Sequence, residues 1–394
     1  MSVLPPLRVM LVAGEASGDL LGAGLIGALR RRSSRGVEVL GVGGPQMGAA
    51  GQRSLFPMEE LSVMGITEVV PRLPLIQRRI AETAGQAIEM RPDVLITIDS
   101  PDFSFRVARQ VRRYVPEIPI VHYVAPQVWA WRQGRARKMA HDMDLLLALL
   151  PFEPPFFGRS GVNCRFVGHP VVERGAEAGE GDKFRSRHAI PGDAPLVTVL
   201  PGSRHSEISR LLTPFSETLH LLANEIPDLH IFCATLPHIA GPVQEAAKTW
   251  PGVVVLSQDM TEKFAGFAAS DAALAASGTV SLELAACGTP HVLAYRVSPF
   301  SALIARRLLK VSHVGLVNLI LGKSLIPEML QENCLPENLM REMQTLLLPD
   351  SAQAQRQQEG MRQALSLLGK GGNSPSFRAS EAVMELLASR GVKI

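Results

Sequence analysis

The stretch Leu196-Val197-Thr198-Val199-Leu200-Pro201-Gly202-Ser203-Arg204 decides the fold. Its first five residues form an apolar run, which reads as a strand covered on both faces. Pro201 and Gly202 break the run, and Ile208, Leu211, Leu212, Phe215 and Leu219 then recur at helical spacing. Strand, tight turn and helix in that order make one unit of an α/β fold. A glycine at such a turn lets main-chain amides approach a ligand closely. The start of the helix favours negative charge there, and Arg204 adds a fork of donors shaped for phosphate oxygens. Gly202, Ser203 and Arg204 therefore read as a phosphate corner.

A second corner lies downstream. Asp271-Ala272-Ala273-Leu274-Ala275 reads as a short buried strand, and Ser277-Gly278-Thr279-Val280-Ser281-Leu282-Glu283 as a turn opening a helix that runs to Cys287 and stops at Gly288-Thr289-Pro290. Glu283 falls on the first turns of that helix, where a carboxylate can accept two hydrogen bonds from a ribose diol. Either turn alone is also what an α/β corner uses for geometry. Together, one with Arg and one with Glu, they point to a nucleotide held at phosphate and sugar by Gly202, Ser203, Arg204, Ser277, Gly278, Thr279 and Glu283.

With 394 residues the chain is long for one core and comfortable for two. A hydrophobic content of 46% against 20% charged residues is that of a globular protein. Cys164, Cys233, Cys287 and Cys334 are widely spaced and fit no metal pattern, so they read as reduced thiols in a cytoplasmic protein. Residues 1–6 have neither a basic start nor an apolar core, so no leader is expected, and no apolar run reaches membrane-spanning length. The net charge of +3 is unevenly spread: 21 Lys and Arg stand against 16 Asp and Glu in residues 1–175, and 19 against 21 in the rest. The basic half points to an anionic partner such as a phosphorylated acceptor or an acidic membrane surface, unless it is ordinary solubilising charge. The excess is modest and not interleaved with aromatics, so no nucleic acid is expected.

Strands and helices alternate throughout. The first half reads as strands Leu7–Ala13, Val37–Val42, Val94–Asp99, Ile118–Tyr123, Leu145–Leu150 and Cys164–Val167, with helices at Leu20–Arg31, Ile76–Glu89, Phe105–Arg113, Arg132–Ala140 and Pro154–Arg159. Gly175–Pro195 has little apolar periodicity and reads as a linker or crossing segment. Strands resume at Leu196–Leu200, Leu229–Ala234, Val253–Leu256, Ala272–Ala275 and His291–Ala294. The pattern predicts two doubly wound, Rossmann-like α/β domains facing a cleft, divided as 1–175 and 176–375, with ligands at the carboxyl ends of the strands. The last helix, within 376–394, follows a glycine-rich hinge that would let it pack back on the first domain.

Four motifs mark the first half. Leu7–Ala13 runs into Gly14-Glu15-Ala16-Ser17-Gly18-Asp19, a strand-turn-helix corner without the G-x-G-x-x-G spacing of a dinucleotide fingerprint, which disfavours a dehydrogenase. Ser17 fits a helix cap and Asp19 the positive end of the dipole; Glu15, at the mouth of the sheet, is better explained as a substrate contact. Val94–Ile98 ends in Asp99-Ser100-Pro101-Asp102-Phe103, which puts Asp99 where it could deprotonate a hydroxyl. Asp102 reads as the cap of the next helix, and no third acid is near enough in sequence to make a metal site. His122-Tyr123-Val124-Ala125-Pro126-Gln127-Val128-Trp129-Ala130-Trp131-Arg132 leads into a basic helix, so His122 and Trp129 are candidates for a phosphate with an apolar tail, against the plainer alternative of core residues. Met58–Leu75 is largely apolar and followed by Arg78-Arg79, which fits a membrane or partner contact as well as a packed helix.

In order along the chain, Gly14-Glu15-Ala16-Ser17-Gly18-Asp19, Val63-Met64-Gly65, Asp99-Ser100-Pro101-Asp102-Phe103, Val128-Trp129-Ala130-Trp131, Leu200-Pro201-Gly202-Ser203-Arg204 and Ser277-Gly278-Thr279 resemble the lipid-A-disaccharide synthase family, as far as about Cys334. The resemblance implies a GT-B glycosyltransferase with an acceptor- and membrane-facing first domain and a UDP-sugar-binding second domain. It implies transfer from UDP-2,3-diacylglucosamine to 2,3-diacylglucosamine 1-phosphate, with inversion, giving a β-1,6-linked disaccharide and UDP. It implies no metal, no cofactor, and a place at the cytoplasmic surface of the inner membrane; an oligomer stays open. By the same resemblance Asp99 is the base, Arg204 a phosphate contact, Glu283 a ribose contact and Asn318 a polar site residue. Val63, Met64, Ile66, Val69, Val70 and Leu73 fall in the family's membrane-touching region, while Glu15, Ser17, Asp19, His122 and Trp129 are left for the substrate or acceptor. Gly315-Leu316-Val317 departs from the family's usual residues before that Asn. Two other functions fit the architecture: a UDP-N-acetylglucosamine 2-epimerase, active on a soluble sugar nucleotide, and a nucleotide-sugar binding protein without turnover.

Overall fold

Leu7–Ala13 is apolar at six of seven positions, and only Arg8 reaches solvent, so the strand it forms (β1) can lie only inside a covered sheet. The computed structural model describes residues 5–61, 66–128, 136–175, 179–298 and 312–393, with the backbone alone at 66–71 and 260. The chain divides into two units, Met1–Pro170 with Gly371–Ile394, and Val171–Lys370.

In the first unit, β1 is followed by α1 (Ala16–Arg32), β2 (Val37–Val42), α2 (Pro45–Ala49), β3 (Arg53–Ser54) and α3 (Ile66–Met90). Then come β4 (Val94–Ile98), α4 (Pro101–Tyr114), β5 (Ile120–Tyr123), α5 (Ala136–Asp142), β6 (Leu145–Ala148), α6 (Glu153–Gly158) and β7 (Cys164–Phe166). The strands pair in parallel in the order β3-β2-β1-β4-β5-β6-β7. Chain order reverses between β1 and β4, and in an open parallel sheet ligands bind at the carboxyl ends beside such a reversal.

The second unit repeats the logic. It holds α7 (Glu180–Arg187), β8 (Leu196–Leu200), α8 (His205–Glu225), β9 (His230–Ala234), α9 (Ala240–Ala247), β10 (Val253–Ser257) and α10 (Met260–Ala269). These lead to β11 (Ala272–Ala276), α11 (Val280–Cys287), β12 (His291–Tyr295), α12 (Leu316–Leu321), β13 (Glu328–Leu330), α13 (Pro336–Leu347) and α14 (Ala352–Leu367). The parallel order is β10-β9-β8-β11-β12-β13, with the reversal between β8 and β11. Leu211, Phe215, Leu219 and Leu222 of α8 meet Val197 and Val199 of β8 in one core with Leu339 and Met343 of α13. The last helix, α15 (Pro375–Ser389), packs on α1 of the first unit. The Arg32 guanidinium lies 4.7 Å from the Phe377 ring centre, and a side chain at Gly24 would start 2.5 Å from Ser376 Oγ.

Three sequence expectations change. Gly175–Pro195 is not merely a linker, because α7 forms within it. Phe184 is fully buried with its ring 4.9 Å from that of Phe232, and Gly181 sits so close to α10 that a Cβ would lie 2.9 Å from the Ala268 carbonyl oxygen. One aromatic residue carries this packing, too little to show as periodicity. β3 and β13 have no apolar run to announce them, since β3 is two exposed polar residues and β13 three half-buried ones. α3 starts ten residues before the expected Ile76 and runs through Pro71 and Pro74, a residue type that usually ends a helix. Among the described residues no helix is long and apolar enough to cross a membrane.

Candidate active site

The two corners read from the sequence of the second half leave adjacent strands. β8 and β11 are in register, Leu200 opposite Ala275, so the turns after them stand side by side at the reversal of strand order. Gly202 has φ +131°, a conformation open to glycine, and a Cβ on it would lie 2.5 Å from Glu207 Cβ. Arg204 is the N-cap of α8 and stands 65% exposed, with Nη1 3.4 Å from Glu207 Oε1. The Ser203 N–H donates to Glu207 Oε2 at 2.8 Å, and His238 Nε2 donates to the Ser203 carbonyl at 3.0 Å. Glu207 and His238 were not among the residues singled out in the sequence. Glu207 has a legible signal, a Glu at the third position of the helix, from which a carboxylate can reach back to main-chain N–H groups before it; His238 has none, because its partner is 35 residues away.

At the second turn the Ser277 N–H pairs with the Ala294 carbonyl at 2.9 Å, while the buried Ser277 Oγ has no hydrogen-bond partner among the described residues. Thr279 is the N-cap of α11, and the helix is anchored from below by Ser281 Oγ, 2.9 Å from His291 Nε2. His291 is fully buried, and burial pulls its pKa down to about 4, so it holds this bond as a neutral ring. Glu283 rises from the first turns of α11 with Oε2 2.6 Å from Lys263 Nζ, and the two side chains are 15% and 16% exposed. Lys263 also lies 5.5 and 5.6 Å from the ring centres of Phe264 and Phe267, which together fix the direction of the carboxylate. Replacing Lys263 with Met keeps the apolar stem and removes the charge. Glu283 is then half-desolvated and unpaired, and urea unfolding is expected to show a loss of about 1–3 kcal/mol.

In the first unit the reversal brings Gly14, after β1, against Asp99 and Ser100, after β4. A Cβ at Gly14 would lie 2.5 Å from Ser100 Oγ and 3.0 Å from its Cβ, so a side chain there would displace Ser100. Asp99 and Ser100 are both left-handed, φ +52° and +44°, and Val124 after the neighbouring strand β5 has φ +79°. Each such non-glycine residue costs of order 1–3 kcal/mol, and strain of this kind gathers at functional sites. The Asp99 main chain is fixed by its N–H to Tyr123 O at 2.9 Å and by Ser104 Oγ donating to its carbonyl at 2.7 Å. Its carboxylate accepts the Ser100 N–H at 2.9 Å, yet burial outweighs that bond and holds its pKa above the ordinary carboxylate value. A raised carboxylate held at a strand end is a proton acceptor in waiting.

Several expected contacts are placed otherwise. Glu15 is exposed at the N-cap of α1. Ser17 lies inside the first turn, so it is not the cap. Asp19 is almost fully buried and accepts the N–H groups of Gly44, Gln46 and Met47, each at 2.9 Å, so its carboxylate closes the start of α2 and is not turned to a substrate. Asp102 sits one residue inside α4, whose N-cap is Ser100. His122 is buried against Phe105, with Nδ1 2.8 Å from Thr97 Oγ1 and Nε2 without a partner among the described residues. Burial holds it neutral, with a pKa of about 3, so it supplies no charge to a phosphate. Asn318 is fully buried with both ends of its amide engaged. It donates to Ile326 O and Glu328 Oε1, each at 2.8 Å, and accepts from Leu325 N–H and Ile326 N–H, each at 2.9 Å, so it braces a loop and does not present itself to a ligand. Trp129, Val63 and Met64 lie outside the described residues; Ile66, Val69 and Val70 are on α3, and Leu73 on the same helix is 38% exposed.

Solved structures share this architecture. The UDP-GlcNAc 2-epimerase of Neisseria meningitidis, bound to UDP-GlcNAc, superposes with a TM-score of 0.61 at 13% identity, over 97% of this chain and 100% of that one. The calicheamicin glycosyltransferase CalG4 gives 0.58 at 18%, over 98% and 99%. At such identities the likeness establishes two parallel α/β units of the GT-B type and nothing about activity. Sequence relatives say more. Lipid-A-disaccharide synthases of Rhodospirillum centenum and Paramagnetospirillum magneticum are 49% and 48% identical to it, over 98% and 97% of this chain and 96% and 98% of theirs. The family model described as lipid-A-disaccharide synthetase matches residues 9–383. Nearly the whole chain is thus accounted for, both corners included, and it belongs to the lipid-A-disaccharide synthase family of glycosyltransferases.

Proposed function

We propose that this chain transfers the 2,3-diacylglucosamine unit of its UDP derivative to 2,3-diacylglucosamine 1-phosphate, forming a β-1,6 disaccharide and releasing UDP. The reading is carried by family membership along residues 9–383. The chemistry of the corners supports it. Departure of UDP from the anomeric carbon needs charge stabilisation, and the first-turn amides of α8 with Arg204 offer donors for a diphosphate without a metal. The Ser277–Thr279 turn and Glu283 receive the uridine ribose. Asp99 takes the proton of the acceptor hydroxyl, which attacks the face opposite UDP and inverts that centre.

The acyl chains call for an apolar surface beside cations. α3 carries Leu73 exposed and Arg78 and Arg79 below it, with Arg79 tied to Glu60 at 2.7 and 3.0 Å. This supports a peripheral contact of the Met58–Arg79 region with the cytoplasmic face of the inner membrane. Glu15 and Ser17, exposed at the mouth of β1, remain candidates for the acceptor together with Trp129, which lies outside the described residues.

The test incubates purified protein with both lipid substrates in detergent, with and without EDTA. Disaccharide should form at the same rate in both, and Arg204→Ala should lower kcat/KM by about a hundredfold, the loss of one charge-assisted diphosphate contact of roughly 2.7 kcal/mol. Absence of disaccharide, or interconversion of UDP-N-acetylglucosamine instead, would overturn the proposal.

A further inference from the structure

The phosphate corner contains an acid. Glu207 is 13% exposed and lies beneath the turn, in space left open because residue 202 has no side chain. Both of its oxygens face the corner: Oε2 takes the Ser203 N–H at 2.8 Å and Oε1 lies 3.4 Å from Arg204 Nη1. The next peptide is held as well, through the Ser203 carbonyl, which accepts from His238 Nε2. A negative charge in the first turn of α8 is thus fixed against the Ser203 N–H and beside Arg204, the guanidinium that the proposed reaction assigns to a diphosphate.

We infer that Glu207 is a positioning residue with two separable effects on that diphosphate, an inference that rests on the nucleotide reading above. Its hydrogen bond pins the Gly202–Ser203 turn so that the amides and Arg204 start in place. Its charge weakens their hold on the anion, and does so most for the product. When the glycosyl bond breaks, the terminal phosphate gains a further negative charge, so a fixed carboxylate repels the leaving UDP more than it repels the UDP-sugar. Amides and Arg204 alone would bind product at least as firmly as substrate; Glu207 shifts the balance towards release.

The two effects come apart in two variants. Glu207→Gln keeps an oxygen for the Ser203 N–H and removes the charge, whereas Glu207→Ala removes both. Titration calorimetry of the folded proteins, checked by circular dichroism, should show Glu207→Gln binding UDP about fivefold tighter at low salt, with the gain shrinking in 1 M salt. Uridine, which has no phosphate, should bind wild type and Glu207→Gln equally. Glu207→Ala should bind UDP about tenfold more weakly than Glu207→Gln. Equal or weaker UDP binding by Glu207→Gln, or a parallel change for uridine, overturns the charge effect, and equal binding by the two variants overturns the pin. A wild-type protein that fails to bind UDP overturns the nucleotide reading and this inference with it.

Discussion

Asp99→Asn is expected to lower turnover by at least about a hundredfold, ~3 kcal/mol of barrier, while making the folded chain more resistant to urea at neutral pH. The two halves have one cause. Burial raises the Asp99 pKa above its ordinary value, against the opposing pull of the Ser100 N–H. A carboxylate whose folded pKa is raised gives its full stability below the unfolded pKa and loses it as pH rises through the folded value. At pH 7 the ionised group is therefore a strain on the fold. Asparagine removes the buried charge, keeps an oxygen for the Ser100 N–H, and tolerates φ +52° better than most side chains. What it cannot do is take a proton. In the wild type the same shift moves the acid limb of kcat/KM to a pH above that of an ordinary carboxylate, because the base works only when ionised. Rates on the two lipid substrates and urea midpoints between pH 5 and 8 check both halves. Near-normal turnover would remove Asp99 from the chemistry, and a fall in stability would make its role structural.

The strand-turn-helix corners were legible because they rest on local rules. An unbroken apolar strand, a glycine and an amphipathic helix appear in sequence order at Leu196–Leu219, and the structure joins them as β8 and α8. That the two corners leave neighbouring strands was not local: the β8–β11 pairing spans more than seventy residues and depends on chain order reversing there. The partners of the candidate side chains were hidden for the same reason. Nothing near Asp19 announces Gly44 and Met47, and nothing near Glu283 announces Lys263. Asp19 and Asn318 show the limit most clearly. A polar residue at a conspicuous place in a motif reads as a ligand contact, but a buried amide or carboxylate can instead satisfy main-chain groups that would otherwise be stranded.

For Asn318 this distinction has a large consequence. Asn318→Ala is expected to cost about 3–5 kcal/mol in urea unfolding of the second unit, because it strands several groups at once. The Leu325 and Ile326 N–H groups lose the oxygen that holds them, and the Ile326 carbonyl and Glu328 lose the amide that links them. Glu328 in turn receives the N–H groups of Val314 and Gly315 at 2.9 and 3.0 Å, so the segment before α12 loosens with it. Any loss of activity would then follow the loss of structure. Asn318→Asp separates this account from direct substrate contact. Aspartate keeps the oxygen for Leu325 and Ile326 but sets a second carboxylate against Glu328 Oε1, so stability should fall about as far as with alanine. Adding Glu328→Gln to Asn318→Asp supplies a donor in place of the repelling charge and should recover a good part of the stability. If Asn318→Asp instead keeps wild-type stability and loses only activity, the amide acts on the substrate and the bracing role fails.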